Sequence, residues 1–195
     1  MSDAPLKIGI IIGSVRTGRY ADTIADWFTA VARNRTDLDI QVIDLAEPAI
    51  LDELKLTLDA RPEPAGTPGL ADRVEALDGY VVITPEYNHG YPASLKLAID
   101  YVYTAWQAKP VSFVSYGGMA GGQRAVEQLR QVFAEMHAVT LRDVVSFHNM
   151  WEQFDAEGRP HAPEPIGKAA EVLLDQLVWW GRTLRAGREK QPYTA

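Results

Sequence analysis

Three short runs in this 195-residue chain combine residue types that could do chemistry: "GSVRTGRY" (Gly13–Tyr20), "TPEYNHGYPASLK" (Thr84–Lys96) and "SYGGMAGG" (Ser115–Gly122). The first leaves an unbroken aliphatic stretch and enters a helical pattern. A glycine-containing turn feeding a helix N-terminus aims free backbone N–H groups and a positive dipole end at one point, which suits a phosphate. Ser14 and Thr17 offer hydroxyl donors, and Arg16 and Arg19 offer charge-assisted ones. The plainer alternative is an ordinary strand-to-helix turn with two solvated arginines. Gly13 and Gly18 enclose four residues as in a Walker loop, but Arg19-Tyr20 stands where Lys and Ser/Thr would be needed. The dinucleotide fingerprint also fails, because Gly13-Ser14-Val15 lacks its second glycine. A ligand with one phosphate fits better than a triphosphate or a dinucleotide.

The second run turns away through Pro85 and gathers Glu86, Tyr87, Asn88, His89 and Tyr91, a set able to face a flat heterocycle with directional amides and apolar rings. Its alternative is a capping turn in which Glu86 and Asn88 satisfy nearby backbone. The third run pairs glycines around Met119 and Ala120, so backbone there can approach a ligand closely; otherwise it is a flexible connection. The four histidines have no partner at metal-ligand spacing, so no metal site is expected.

These runs need elements to position them, and strand-like and helix-like segments alternate along the chain as in crossover units on a parallel sheet. "KIGIIIG" (Lys7–Gly13), Asp39–Leu45, "YVVITPE" (Tyr80–Glu86), "PVSFVSYG" (Pro110–Gly117) and "TLRDVVSF" (Thr140–Phe147) read as strands. Helices are expected around Ala21–Asn34, Leu70–Leu77, Pro92–Trp106, Gly122–Met136 and Ile166–Arg185. The proline-bearing stretch Ala46–Gly69 reads as a long surface excursion. Five strands with intervening helices imply a doubly wound α/β sheet, on which ligands sit beyond the carboxyl ends of strands. All three runs follow strands and open on that edge.

Composition sets outer limits. With 47% hydrophobic and 23% charged residues, one domain spanning residues 1–195 is expected. Zero cysteines exclude disulfides, thiolate chemistry and Cys-ligated metals, so electron chemistry would need a bound cofactor. A net charge of −7 disfavours nucleic acid as a partner. Met1–Lys7 is too short and mixed for a signal peptide and Ile8–Ile12 too short to span a bilayer, so no membrane partner and a cytoplasmic location are expected.

In order and relative position, "GSVRTGRY", "PEYNHGYPASLKLAIDY" and "SYGGMAGGQRAVEQLR" resemble the motifs of flavodoxin-like NAD(P)H-dependent FMN reductases, a group that includes quinone, chromate and azo-dye reductases. The resemblance runs from Lys7 to about Phe147. It implies a five-stranded parallel sheet in the order 2-1-3-4-5 with helices on both faces. It implies an FMN phosphate held at Ser14, Arg16 and Arg19. The flavin ring would be held by Pro85, Glu86, Tyr87 and Asn88 on one side and by Ser115, Tyr116, Gly117 and Gly118 on the other. Many members carry Asn where Leu97 stands and a small polar residue where Arg19 stands. The activity implied is hydride transfer from NADPH or NADH to FMN and on to a small-molecule acceptor in a ping-pong cycle, by a homodimer or homotetramer pairing through the helix after "PEYN". Lys109, Arg124 and Arg130 are candidate cations for a nicotinamide 2′-phosphate. Two other readings stand beside this one: an FMN electron carrier without a nicotinamide site, and a flavin-free domain that keeps only the fold.

Overall fold

The computed structural model describes residues 4–55 and 68–194. β1 (Leu6–Ile12) lies at the centre of a parallel sheet, between β2 (Leu38–Asp44) and β3 (Gly79–Pro85). β4 (Pro110–Tyr116) pairs with β3, and both β5 (Val139–Thr140) and β6 (Val145–Phe147) pair with β4. The order β2-β1-β3-β4-β5 is the flavodoxin-like arrangement.

Alternation along the strands sorts the apolar residues into two layers. Ile8, Ile10, Ile12, Val81, Ile83, Val114 and Tyr116 pack toward α1 (Ala21–Arg33) and α6 (Pro163–Lys190). On the opposite face Ile11, Ile43, Tyr80, Val82, Val111 and Phe113 meet α2 (Pro48–Leu54), α3 (Leu70–Glu75), α4 (Ala93–Val102) and α5 (Gln123–Glu135). Adjacent strand residues point to opposite faces, so a run such as Ile10-Ile11-Ile12 feeds both layers. Each fully buried large side chain, Phe28 and Phe113 among them, stabilises the fold by roughly 1.5–3 kcal/mol.

The structure differs from the sequence expectation at three places. The excursion after β2 contains a helix: Pro48, with its fixed φ, starts α2, and Ile50 and Leu54 enter the core. The rest of that stretch, 56–67, lies outside the described residues. The fifth strand is split, because from Val111 to Val114 β4 advances three residues while the partner advances five, from Thr140 to Val145. Arg130 donates to the looped-out carbonyls of Leu141 and, at 2.9 Å, Arg142. Finally, α4 stops at Val102 rather than Trp106. Tyr103 adopts φ 52°, a 3-10 turn follows, and the Trp106 indole N–H donates back to the Ile99 carbonyl at 3.1 Å while its ring enters the core.

Candidate functional site

The turn from β1 to α1 is braced from below. Gly13 donates to the Ile83 carbonyl at 2.9 Å, and its own carbonyl accepts from Ser94 on α4 at 2.7 Å. α1 then opens on Tyr20 with no side-chain cap, so its first-turn N–H groups face the turn. The two arginines differ sharply. Arg19 forms a bidentate pair with Asp44, donates to Asp22 at 2.8 Å and also donates to the Ser14 carbonyl. The Asp44 hydrogen bonds raise its guanidinium above the ordinary value; burial opposes this, and Asp22 adds to it. Arg16 is exposed and has no carboxylate within ion-pair distance among the described residues. Its guanidinium lies 3.6 Å from the centre of the Tyr87 ring.

Tyr87 joins the second run to the first, since its hydroxyl lies 2.7 Å from Ser14 Oγ, and Ser14 is fully buried. Tyr87 and Gly90 exchange backbone hydrogen bonds at 2.8 and 3.1 Å across Asn88 and His89, both at positive φ. That tight turn holds the exposed Asn88 and His89 at the edge. Pro85 closes β3. Glu86 is locked twice: its N–H donates to the Tyr116 carbonyl at 3.1 Å, and its carboxylate takes the side chain (2.9 Å) and the backbone N–H (3.2 Å) of Arg124 at the start of α5.

In the third run, the Ser115 hydroxyl donates to the Gly121 carbonyl at 2.8 Å, folding the glycine loop back on β4. Gly122, at φ +82°, lets the chain pass where a Cβ would stand 2.7 Å from the Tyr116 nitrogen. Gly117 and Gly118 offer their carbonyls to Met150 and Asn149, at 3.1 and 3.0 Å, which seats Trp151 beside Gly118. Tyr116 is buried. Among the described residues its hydroxyl makes no hydrogen bond of ordinary geometry, Ser14 being the hydroxyl beside it, and burial pushes its phenol above the ordinary value.

Of the cations considered for a nicotinamide phosphate, only Arg124 borders these loops. Lys109 precedes β4 at the opposite edge and donates to the Val74 and Glu75 carbonyls at 3.4 and 2.8 Å; Arg130 serves the split strand. Tyr101 and Trp106 belong to the core while Tyr103 is exposed; Trp151 and Trp179 are exposed, and Phe154 and Trp180 pack against the core. Leu97 packs on the core beside α4's buried face. Among the described residues no group of three or more His, Asp or Glu could hold a metal, and no helix is long and apolar enough to cross a membrane. Sequence reasoning missed Asp44. Its signal was the strand order itself, since pairing β2 beside β1 sets Asp44 opposite Ile12, at the mouth of the first turn.

Known proteins share this architecture. A family model described as NADPH-dependent FMN reductase matches residues 6–152. An NAD(P)H-dependent FMN reductase of Schizosaccharomyces pombe is 39% identical over 131 residues, covering 65% of this chain and 64% of that protein, so the match spans just under two thirds of the relative. A quinone reductase of Escherichia coli K12 is 30% identical over 144 residues, 70% of this chain and 73% of that one. Among solved structures, FerB, a flavoenzyme NAD(P)H:(acceptor) oxidoreductase of Paracoccus denitrificans, superposes with a TM-score of 0.68 at 24% identity over 91% of this chain and 98% of that one. With three quarters of its length matched by the family model, and its three loops at one sheet edge, the chain belongs to the NADPH-dependent FMN reductase family of oxidoreductases.

Proposed function

We propose that this chain binds FMN across the three loops and passes reducing equivalents from NADPH or NADH to a small planar acceptor, a quinone foremost. The donor set fits FMN. Arg16, without a carboxylate partner, Ser14 and the uncapped amides of α1 would hold the phosphate, and Arg19 would shape that turn from beneath through Asp44. Tyr87 and Asn88 on one side and the backbone of Tyr116–Gly118 on the other would hold the ring, with Pro85, Glu86 and Ser115 fixing those two loops in place. When bound, FMN supplies the group that accepts and gives up hydride, so the chain's own residues need only bind, orient and set the local charge. The observation that carries the reading is the pairing of a cation without a carboxylate and an uncapped helix N-terminus with aromatic and glycine-rich loops at the same edge. The quinone preference is supported by relatives named quinone reductase. Pairing of two copies through α4 and the 3-10 turn that follows it, where Tyr103 is exposed, would fit the same family.

The test is the absorbance spectrum of the protein reconstituted with FMN, before and after anaerobic NADPH. Flavin absorbance that bleaches with NADPH or NADH and returns on adding a quinone is the expected result. Bound flavin that ignores both nicotinamides would make the chain an electron carrier, and no flavin binding would overturn the reading.

A further inference from the structure

Tyr116 is the last residue of β4, and its side chain lies in the layer that also holds Ile12 and Ala21, directly at the β1–α1 turn. The residue is 5% exposed, yet among the described residues its hydroxyl makes no hydrogen bond of ordinary geometry, although Ser14 stands beside it. A buried hydroxyl without a partner costs about 1–3 kcal/mol, and native proteins rarely carry one without a use. The polar groups acting on this phenol are all at one place: Tyr87, Ser14, Arg19 and Asp22. Ser14 Oγ is the hub. It already meets the Tyr87 hydroxyl at 2.7 Å and accepts from the Arg16 N–H at 3.4 Å. A serine hydroxyl has one hydrogen and two lone pairs, so where that hydrogen points depends on how many donors face it.

We propose that Tyr116 is a positioning residue of the anion subsite: when a phosphate occupies the β1–α1 turn, the Tyr116 hydroxyl donates to Ser14 Oγ. With the long Arg16 N–H contact given up to the phosphate and Tyr87 and Tyr116 both donating, the serine's two lone pairs are occupied and its single hydrogen turns outward to the phosphate oxygen. In the present structure the Tyr116 hydroxyl stands beside Ser14 without a hydrogen bond of ordinary geometry, and closing that contact completes the arrangement. This inference rests on the phosphate subsite proposed above and assigns a role that the ring contacts of the Tyr116 backbone do not require.

The experiment compares wild type and Tyr116→Phe for FMN and riboflavin affinity by fluorescence quenching, and for thermal midpoint without ligand. The expected result is FMN bound about three- to tenfold more weakly by the variant, riboflavin affinity unchanged, and a midpoint equal to or above wild type. In a Ser14→Ala background, Tyr116→Phe should have no further effect on FMN. Unchanged FMN affinity in the single variant, or equal weakening of both flavins, would overturn the role. Should the wild type bind neither flavin, the functional reading fails by itself, and the midpoint shift with inorganic phosphate at constant ionic strength decides this one. A shift reduced by Tyr116→Phe upholds it, whereas an equal shift in both proteins or none in the wild type overturns it.

Discussion

Arg16 and Arg19 stand three residues apart in one turn, and their surroundings give them different work. Arg16 ends in solvent over the Tyr87 ring, with nothing but that ring to leave when an anion arrives. Arg16→Ala should therefore weaken FMN binding by about tenfold to a hundredfold, the equivalent of losing a charge-assisted hydrogen bond of about 1.5–3 kcal/mol, while the thermal midpoint hardly moves. Arg19→Ala removes the partner of Asp44 and Asp22 and a donor to the Ser14 carbonyl. It should lower stability by about 1–3 kcal/mol and loosen FMN through the collapsed turn. Denaturant unfolding and flavin titration of both variants separate these outcomes. Similar stability losses in the two would mean that the division of labour is absent. From sequence alone the arginines are equivalent, because an ion pair depends on what stands across space.

At the scale of elements, the glycine loop between β4 and α5 is shaped by backbone that side chains would obstruct. Gly122 combines φ +82° with backbone neighbours closer than a Cβ allows, 2.7 Å from the Tyr116 nitrogen and 2.9 Å from the Tyr116 oxygen. Gly122→Ala must both strain the left-handed conformation and push β4 away from α5, so a loss of about 2–4 kcal/mol is expected. For a chain of this length that lowers the thermal midpoint by about 4–16 °C, measurable by calorimetry. A wild-type midpoint would show that the loop can relax. The sequence announces this loop by its paired glycines, and the chain's other elements were legible where periodicity was strong, as in α1, α5 and α6. The split of β5 from β6 was not legible, since Leu141–Val144 reads as ordinary strand and only the Arg130 contacts to its carbonyls show where it loops out.

Across the whole molecule, the sheet has an edge that carries the three candidate loops and an opposite edge, and Lys109 belongs to the second. It is 7% exposed, closing the last carbonyls of α3, and burial with Arg188 nearby lowers its pKa from 10.5 to about 8. Below pH 8 the lysine is charged in folded and unfolded chains alike, and its burial cost is fully present. Between about pH 8 and 10.5 the unfolded chain binds a proton that the folded one has released, so stability rises with pH, by on the order of 3 kcal/mol over the window. Tyr80, whose phenol burial raises well above 10, acts in the opposite sense above pH 10. Lys109→Met should flatten the rise between pH 8 and 10 in urea unfolding, and a difference between variant and wild type that is independent of pH would count against this account. Lys109 drew attention in the sequence only as a cation. A residue that precedes a parallel strand lies at the edge away from the ligand, a rule that strand direction alone supplies. The same rule is why the sequence by itself determined that the three candidate runs share one edge: parallel strands place all their carboxyl ends together, so three runs that each follow a strand must meet. It also determined the fold class, because alternating strand and helix periodicities leave few packings for 195 residues. The tertiary structure alone decided which groups in that site are free. Asp44 reaches Arg19 only because β2 lies in register beside β1, and the Tyr116 side chain is buried only because β4 ends in the layer that α1 and α6 share. Charge pairing and hydrogen-bond satisfaction are properties of neighbours in space, and strand order, which fixes those neighbours, is not written in any single motif.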